Sequence, residues 1–87
     1  MGIEYELRVP ESERAKVAVA LAHHLAPLLT RLDPKVNEPF PNAYVNVIPE
    51  GVYVCDNLTD SEVSAQIMRG ILDLLLLYSP EVTIVNP

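Results

Sequence analysis

Two passes of one hydrophobic pattern, strand, helix, strand, run through this chain from Ile3 to Ile48 and again from Val52 to Val85, and few folds accommodate that order within 87 residues. In the first pass Ile3, Tyr5, Leu7 and Val9 alternate with Glu4, Glu6 and Arg8, a two-residue period that gives a strand one apolar face. Pro10 ends that strand, and Glu11, Ser12 and Glu13 form the acidic first turn that a helix dipole favours. Ala18, Leu21, Ala22, Leu25, Leu29 and Leu32 recur within about 100° of arc on a helical wheel. This spacing predicts one helix over Ser12 to Leu32, kinked near Pro27, whose ring falls opposite the apolar stripe. Pro34, Pro39 and Pro41 exclude both helix and ladder, so Asp33 to Asn42 is expected as an extended loop with Phe40 docked on the core.

In the second pass Ala43 to Ile48 and Val52 to Asp56 are β-branched and aromatic, and the short link through Pro49, Glu50 and Gly51 predicts an antiparallel hairpin. Thr59 and Glu62 have the spacing of a capping box, which predicts the start of a second helix. Val63, Ile67, Ile71, Leu74 and Tyr78 supply its core stripe; Ser79-Pro80 stops it before a last strand at Val82 to Val85. The resulting order, βαββαβ, resembles the ferredoxin-like split β-α-β sandwich, an α+β fold with a four-stranded antiparallel sheet and two helices on one face. The resemblance implies strand order 4-1-3-2, a shape and no activity, while the length of 87 residues gives the expectation of one domain over residues 1–87.

Charge and cysteine content narrow the function classes. Twelve acidic residues face six basic ones, for a net charge of -6. The cations Arg8, Arg14, Lys16, Arg31, Lys35 and Arg69 are scattered, so the clustered positive surface of a phosphate-backbone binder is absent and direct nucleic-acid binding is disfavoured. A lone cysteine, Cys55, cannot form an intramolecular disulfide and fits a reducing compartment. The sequence MGIEYELR has no apolar signal-peptide core, Glu6 breaks the myristoylation pattern, and the run Leu74 to Tyr78 is far below the ~20 residues of a membrane span. A cytoplasmic location without membrane contact is the expectation.

No assembled catalytic, metal or cofactor motif is legible. His23 and His24 are adjacent and diverge by about 100° on a helix, so they cannot jointly hold a metal, and both are expected in solvent. Cys55 and Asp56 suggest a nucleophile with a carboxylate, but both histidines ride on a helix behind the sheet. The pairs Glu4/Glu6 and Glu11/Glu13 read as solvated charge.

What remains are surfaces. With the core stripe of the second helix aimed at the sheet, Met68, Leu72, Leu75 and Leu76 fall on its flank, where the first helix could cover them or a partner could. The far face of the sheet is expected to show Glu4, Glu6, Arg8, Tyr44, Asn46, Ile48, Tyr53, Cys55, Thr83 and Val85. Its tyrosines are similar to the stacking platform of an RNA-recognition domain, yet its carboxylates and the sequence GVYVCDN argue against RNA. The sequence therefore points to a non-enzymatic protein-protein interaction module. Met68, Leu72, Leu75, Leu76, Tyr44, Tyr53, Glu4 and Glu6 are the candidate partner-binding residues, in a homodimer or a heterocomplex. One form is a small acidic inhibitor or immunity-type protein that sets Glu4, Glu6, Asp56, Asp60 and Glu62 in a basic partner site. The alternative is a dimeric ligand-binding or catalytic ferredoxin-like domain with Tyr44, Tyr53 and Cys55 lining a pocket between two sheets.

Overall fold

Alternating and helical periods resolve into the elements expected of them. A computed structural model describes residues 2–87. Strand β1 (Ile3–Arg8) is followed by a single 3-10 turn (Glu11–Glu13) and helix α1 (Arg14–Leu32). Strands β2 (Ala43–Ile48) and β3 (Gly51–Asp56) form the hairpin, helix α2 (Ser61–Tyr78) follows, and β4 (Thr83–Val85) closes the chain's path. The sheet runs β2-β3-β1-β4, every pairing antiparallel. Read from the other edge it is the 4-1-3-2 order of a ferredoxin-like sandwich.

The core lies between one sheet face and the two helices. Leu7, Val52 and Val54 from the sheet meet Val17, Leu21 and Leu25 of α1 and Ile67, Ile71 and Leu75 of α2, all nearly or wholly buried. Side chains this large contribute roughly 1.5–3 kcal/mol each on burial, so these few account for much of the driving force.

Both helices are rotated from the expected orientation, and the cause is their mutual packing. Gly70 lets the helices approach closely, since a Cβ there would lie 2.6 Å from Leu32 Cδ1. Leu74 and Tyr78, expected against the sheet, instead line the cleft facing Leu28 and His24 of α1. The vacated core position goes to Leu75, which is 1% exposed and therefore removed from the candidate partner flank. On α1 the buried stripe is Val17, Ala20, Leu21 and Leu25, and Ala18 and Ala22, expected within it, are exposed. The expected helix start at Ser12 gives way to the 3-10 turn, and Pro27 sits inside the helix on its exposed side.

Local polar chemistry accounts for two further departures. Asp60, not Thr59, caps α2: its carboxylate accepts from the backbone N–H groups of Glu62 and Val63, each at 3.1 Å. Thr59 instead donates its hydroxyl to Asn42 Oδ1 at 2.7 Å. Phe40, expected on the core, is 77% exposed. Its neighbours hold the loop in place: Asp33, 2% exposed, accepts from the Lys35 and Asn42 backbone N–H groups and from Asn42 Nδ2. Asn57 Nδ2 donates to the Pro41 carbonyl, and Asn57 N to that of Asn42. These bonds fix the loop on both sides of Phe40 and leave its ring in solvent.

At the hairpin, Gly51 has φ +153° and lies so close to β1 that a Cβ would meet the Leu7 carbonyl oxygen. Leu58 adopts the left-handed region at φ +60°, where a β-carbon costs roughly 1–2 kcal/mol. Asp33→Ala should remove about 2–4 kcal/mol of stability by leaving three donors unpaired, the two of Asn42 buried and that of Lys35 part-buried, and Leu58→Asn should add up to about 1 kcal/mol. Chemical denaturation of the two variants checks both signs, and an unchanged midpoint for Asp33→Ala would contradict the role given to the network.

Candidate functional site

Strand register decides what the helix-free side of the sheet displays. Glu6 pairs with Tyr53 and Val85, Glu4 with Cys55, Tyr44 with Cys55, and Asn46 with Tyr53. Side chains of paired residues share a face, so Glu4, Glu6, Arg8, Tyr44, Asn46, Ile48, Tyr53, Cys55, Thr83 and Val85 all project away from the helices. The expected open face is present in full, and no element of the described chain covers it.

Its charges are largely tied up. Tyr53 Oη donates to Glu4 Oε1 at 2.6 Å, and Arg8 holds Glu6 Oε1 through Nη2 at 2.6 Å and Nε at 2.9 Å. Tyr44 Oη donates to the Pro39 carbonyl at 3.0 Å, tilting that ring toward the proline-rich loop. The Tyr53 phenol is pushed far above its ordinary range, first by the hydrogen bond to Glu4 and then by desolvation and the neighbouring Cys55 and Glu4 charges. A negative carboxylate accepting the phenolic proton favours the neutral phenol, so Tyr53 stays a hydrogen-bond donor fixed on Glu4. Cys55 is half-buried, with Asn57 Oδ1 at 3.9 Å from its sulfur.

The remaining candidates lie elsewhere. Asp56 accepts from Leu58 N and from the Ser64 hydroxyl, and Asp60 is the helix cap, so neither carboxylate is free. Only Glu62 of the acids proposed for a basic partner site has no such bond. Met68, Leu72 and Leu76 occupy the side of α2 opposite Gly70 and Leu74; because α1 packs against Gly70 and Leu74, it does not reach them. Met68 and Leu72 are half-buried against the core, and Leu76 is 51% exposed. His23 and His24 are exposed, the first with Nδ1 2.9 Å from the Val19 carbonyl oxygen, the second stacked on Tyr78 with ring centroids 6.4 Å apart. No group of three or more His, Cys, Asp or Glu among the described residues is placed to hold a metal ion. No helix among them is long and apolar enough to cross a membrane.

Sequence reasoning placed the open face but missed two features. The Tyr53–Glu4 bond joins residues 49 apart in sequence, and only the pairing register reveals that they adjoin diagonally. The exposure of Ala18 and Ala22 follows from the helix rotation, for which the sequence of α1 alone carries no signal.

The chain matches no protein-family model, no curated protein and no solved structure.

Because the Tyr53 pKa is raised in the folded state, the stabilisation it reports is fully present below about pH 10 and is lost as pH rises through the higher folded-state range. Glu4→Gln should move Tyr53 ionisation back toward the ordinary range. Ultraviolet titration, with Tyr53→Phe to subtract the other tyrosines, checks this; a Glu4→Gln curve superimposable on the parent's would break the link.

Proposed function

We propose that this chain is a non-enzymatic protein-binding module whose partner docks on the open sheet face around Tyr53. The observation that carries this is an uncovered face with a tyrosine at its centre, held in one orientation by the 2.6 Å bond to Glu4, with Asn46 and Glu6 beside it, Tyr44 and Ile48 on the diagonals and Val85 beyond Glu6. Tyrosines of this kind contribute large apolar area and a hydrogen bond while losing few rotamers on binding. The Glu6–Arg8 pair leaves the face with little net charge of its own.

The overall charge of -6 then has a separate part. It draws a basic partner over a distance, accelerating encounter, while the contact itself is made by aromatic and apolar groups. A direct carboxylate mimic, with acids seated in a basic cleft, is the weaker form of the proposal, since Glu4, Glu6, Asp56 and Asp60 already accept hydrogen bonds within the chain.

Placing a photoreactive phenylalanine analogue at Tyr53 and, separately, at Gln66 on the exposed side of α2 tests the surface in the native host. An adduct heavier than twice the chain mass from position 53 and none from position 66 is the expected result. Adducts from neither position, or equally from both, reject the sheet face as the docking surface. Once the partner is in hand, its dissociation rate should change little with ionic strength while its association rate falls. Steep salt dependence of the dissociation rate would restore the acidic mimic.

A further inference from the structure

The helix layer carries a cleft between α1 and α2, on the other side of the molecule from Tyr53. The two helices run antiparallel, since His24 of α1 stacks on Tyr78 of α2 while Leu28 and Leu32 of α1 meet α2 at Gly70. The cleft between them has a volume of about 390 Å³, within the roughly 300–1,000 Å³ typical of small-molecule sites. Its walls are mainly apolar, with Pro27 and Leu28 from α1 and Leu74 and Leu77 from α2. Leu77 is 77% exposed, as much as any large apolar side chain among the described residues. An apolar ligand in the cleft would withdraw that side chain from water.

Charge decides which kind of ligand. Arg31 and Asp73 both reach the cleft. Asp73 is engaged by Arg69, whose Nε lies 3.2 and 3.3 Å from its two carboxylate oxygens, so its charge is compensated within α2. Arg31 forms neither an ion pair nor a side-chain hydrogen bond among the described residues. It stands in the last turn of α1, where the helix dipole favours a cation without occupying its five N–H donors. The cleft therefore holds one uncompensated positive charge in a chain of net charge -6. The field of the whole chain repels anions, so a preference for a carboxylate here would be the signature of direct contact with Arg31.

A neighbouring cleft of about 470 Å³ shares Leu28, Arg31, Gly70 and Asp73 with the first but adds the carboxylate of Glu62. An anion on Arg31 is repelled from that side and directed toward Leu74 and Leu77. Helix geometry then sets a length. From Arg31 back to His24 is about two turns of α1, or about 10 Å. There His24 and Tyr78 close the cleft with near-parallel rings, 17° apart, a stack that a further ring can extend.

From these observations we propose that the cleft binds a small organic carboxylate with an apolar, ring-bearing body about 10 Å long. The carboxylate takes the Arg31 guanidinium in a two-point, charge-assisted contact, the body covers Leu28, Leu74 and Leu77, and the ring reaches the His24–Tyr78 stack. Such a ligand leaves the open sheet face free.

A library of aryl-alkyl carboxylates, each paired with its own carboxamide, can be screened at about 1 mM against the isotope-labelled chain, a concentration suited to ligands this small. Amide shift changes are expected at Leu28, Arg31, Gly70 and Leu74, with carboxylates binding at least about tenfold more tightly than their carboxamides. Arg31→Gln, at an exposed position, should remove that preference while leaving carboxamide binding and the circular dichroism spectrum unchanged. Leu77→Ser, also exposed, should weaken both members of each pair. A library that produces no shifts in the cleft overturns the proposal. So do carboxamides that bind as well as their carboxylates, a preference that survives Arg31→Gln, or binding indifferent to Leu77→Ser.

Discussion

A buried carboxylate at the end of α1 fixes how the halves of this molecule meet. Asp33 accepts three hydrogen bonds, two from Asn42, which itself accepts from Thr59 and from the backbone of Asn57. One acid thereby ties the helix end, the start of β2, the end of β3 and the entrance to α2. A carboxylate withdrawn from water is tolerable only when its lone pairs are filled, and no buried side-chain nitrogen or oxygen among the described residues lacks a partner. The network fixes the positions at which β2 begins and α2 starts, and the hydrophobic core follows from those two placements.

Much of this was legible in the sequence, for identifiable reasons. The strict alternation at Ile3 to Val9 could be satisfied only by a strand with one buried face, and the same two-residue period in the hairpin strands and at Thr83 to Val85 gave the open face residue by residue. Two long helical periods between short strands left little besides a split β-α-β sandwich. These are features in which a local pattern and the tertiary environment agree.

The misses cluster where a side chain had more than one partner available. Thr59 has the spacing of a helix cap, but Asn42, seventeen residues earlier, captures its hydroxyl and Asp60 takes the cap. Leu74 and Leu75 are both apolar and adjacent, so a wheel centred on either looks sound. The close approach at Gly70 turns Leu74 toward α1 and delivers Leu75 to the sheet. Phe40 shows the opposite effect, an apolar residue held outside by the polar bonds of its neighbours. Helix rotation is set by the neighbouring helix, and a single-helix wheel does not contain that information.

The brevity of β4 has a consequence for the chain before and during folding. That brevity leaves little strand to pair at its own edge of the folded sheet, a limit that belongs to the folded sheet and not to the segment β2 at the opposite edge. In an unfolded or newly made chain AYVNVI is six residues of high β-propensity without charge, and nothing then terminates its growth. Rapid formation of the hairpin, which engages one side of β2 through a two-residue turn at Pro49 and Glu50, is therefore what separates ordered pairing from aggregation in this chain.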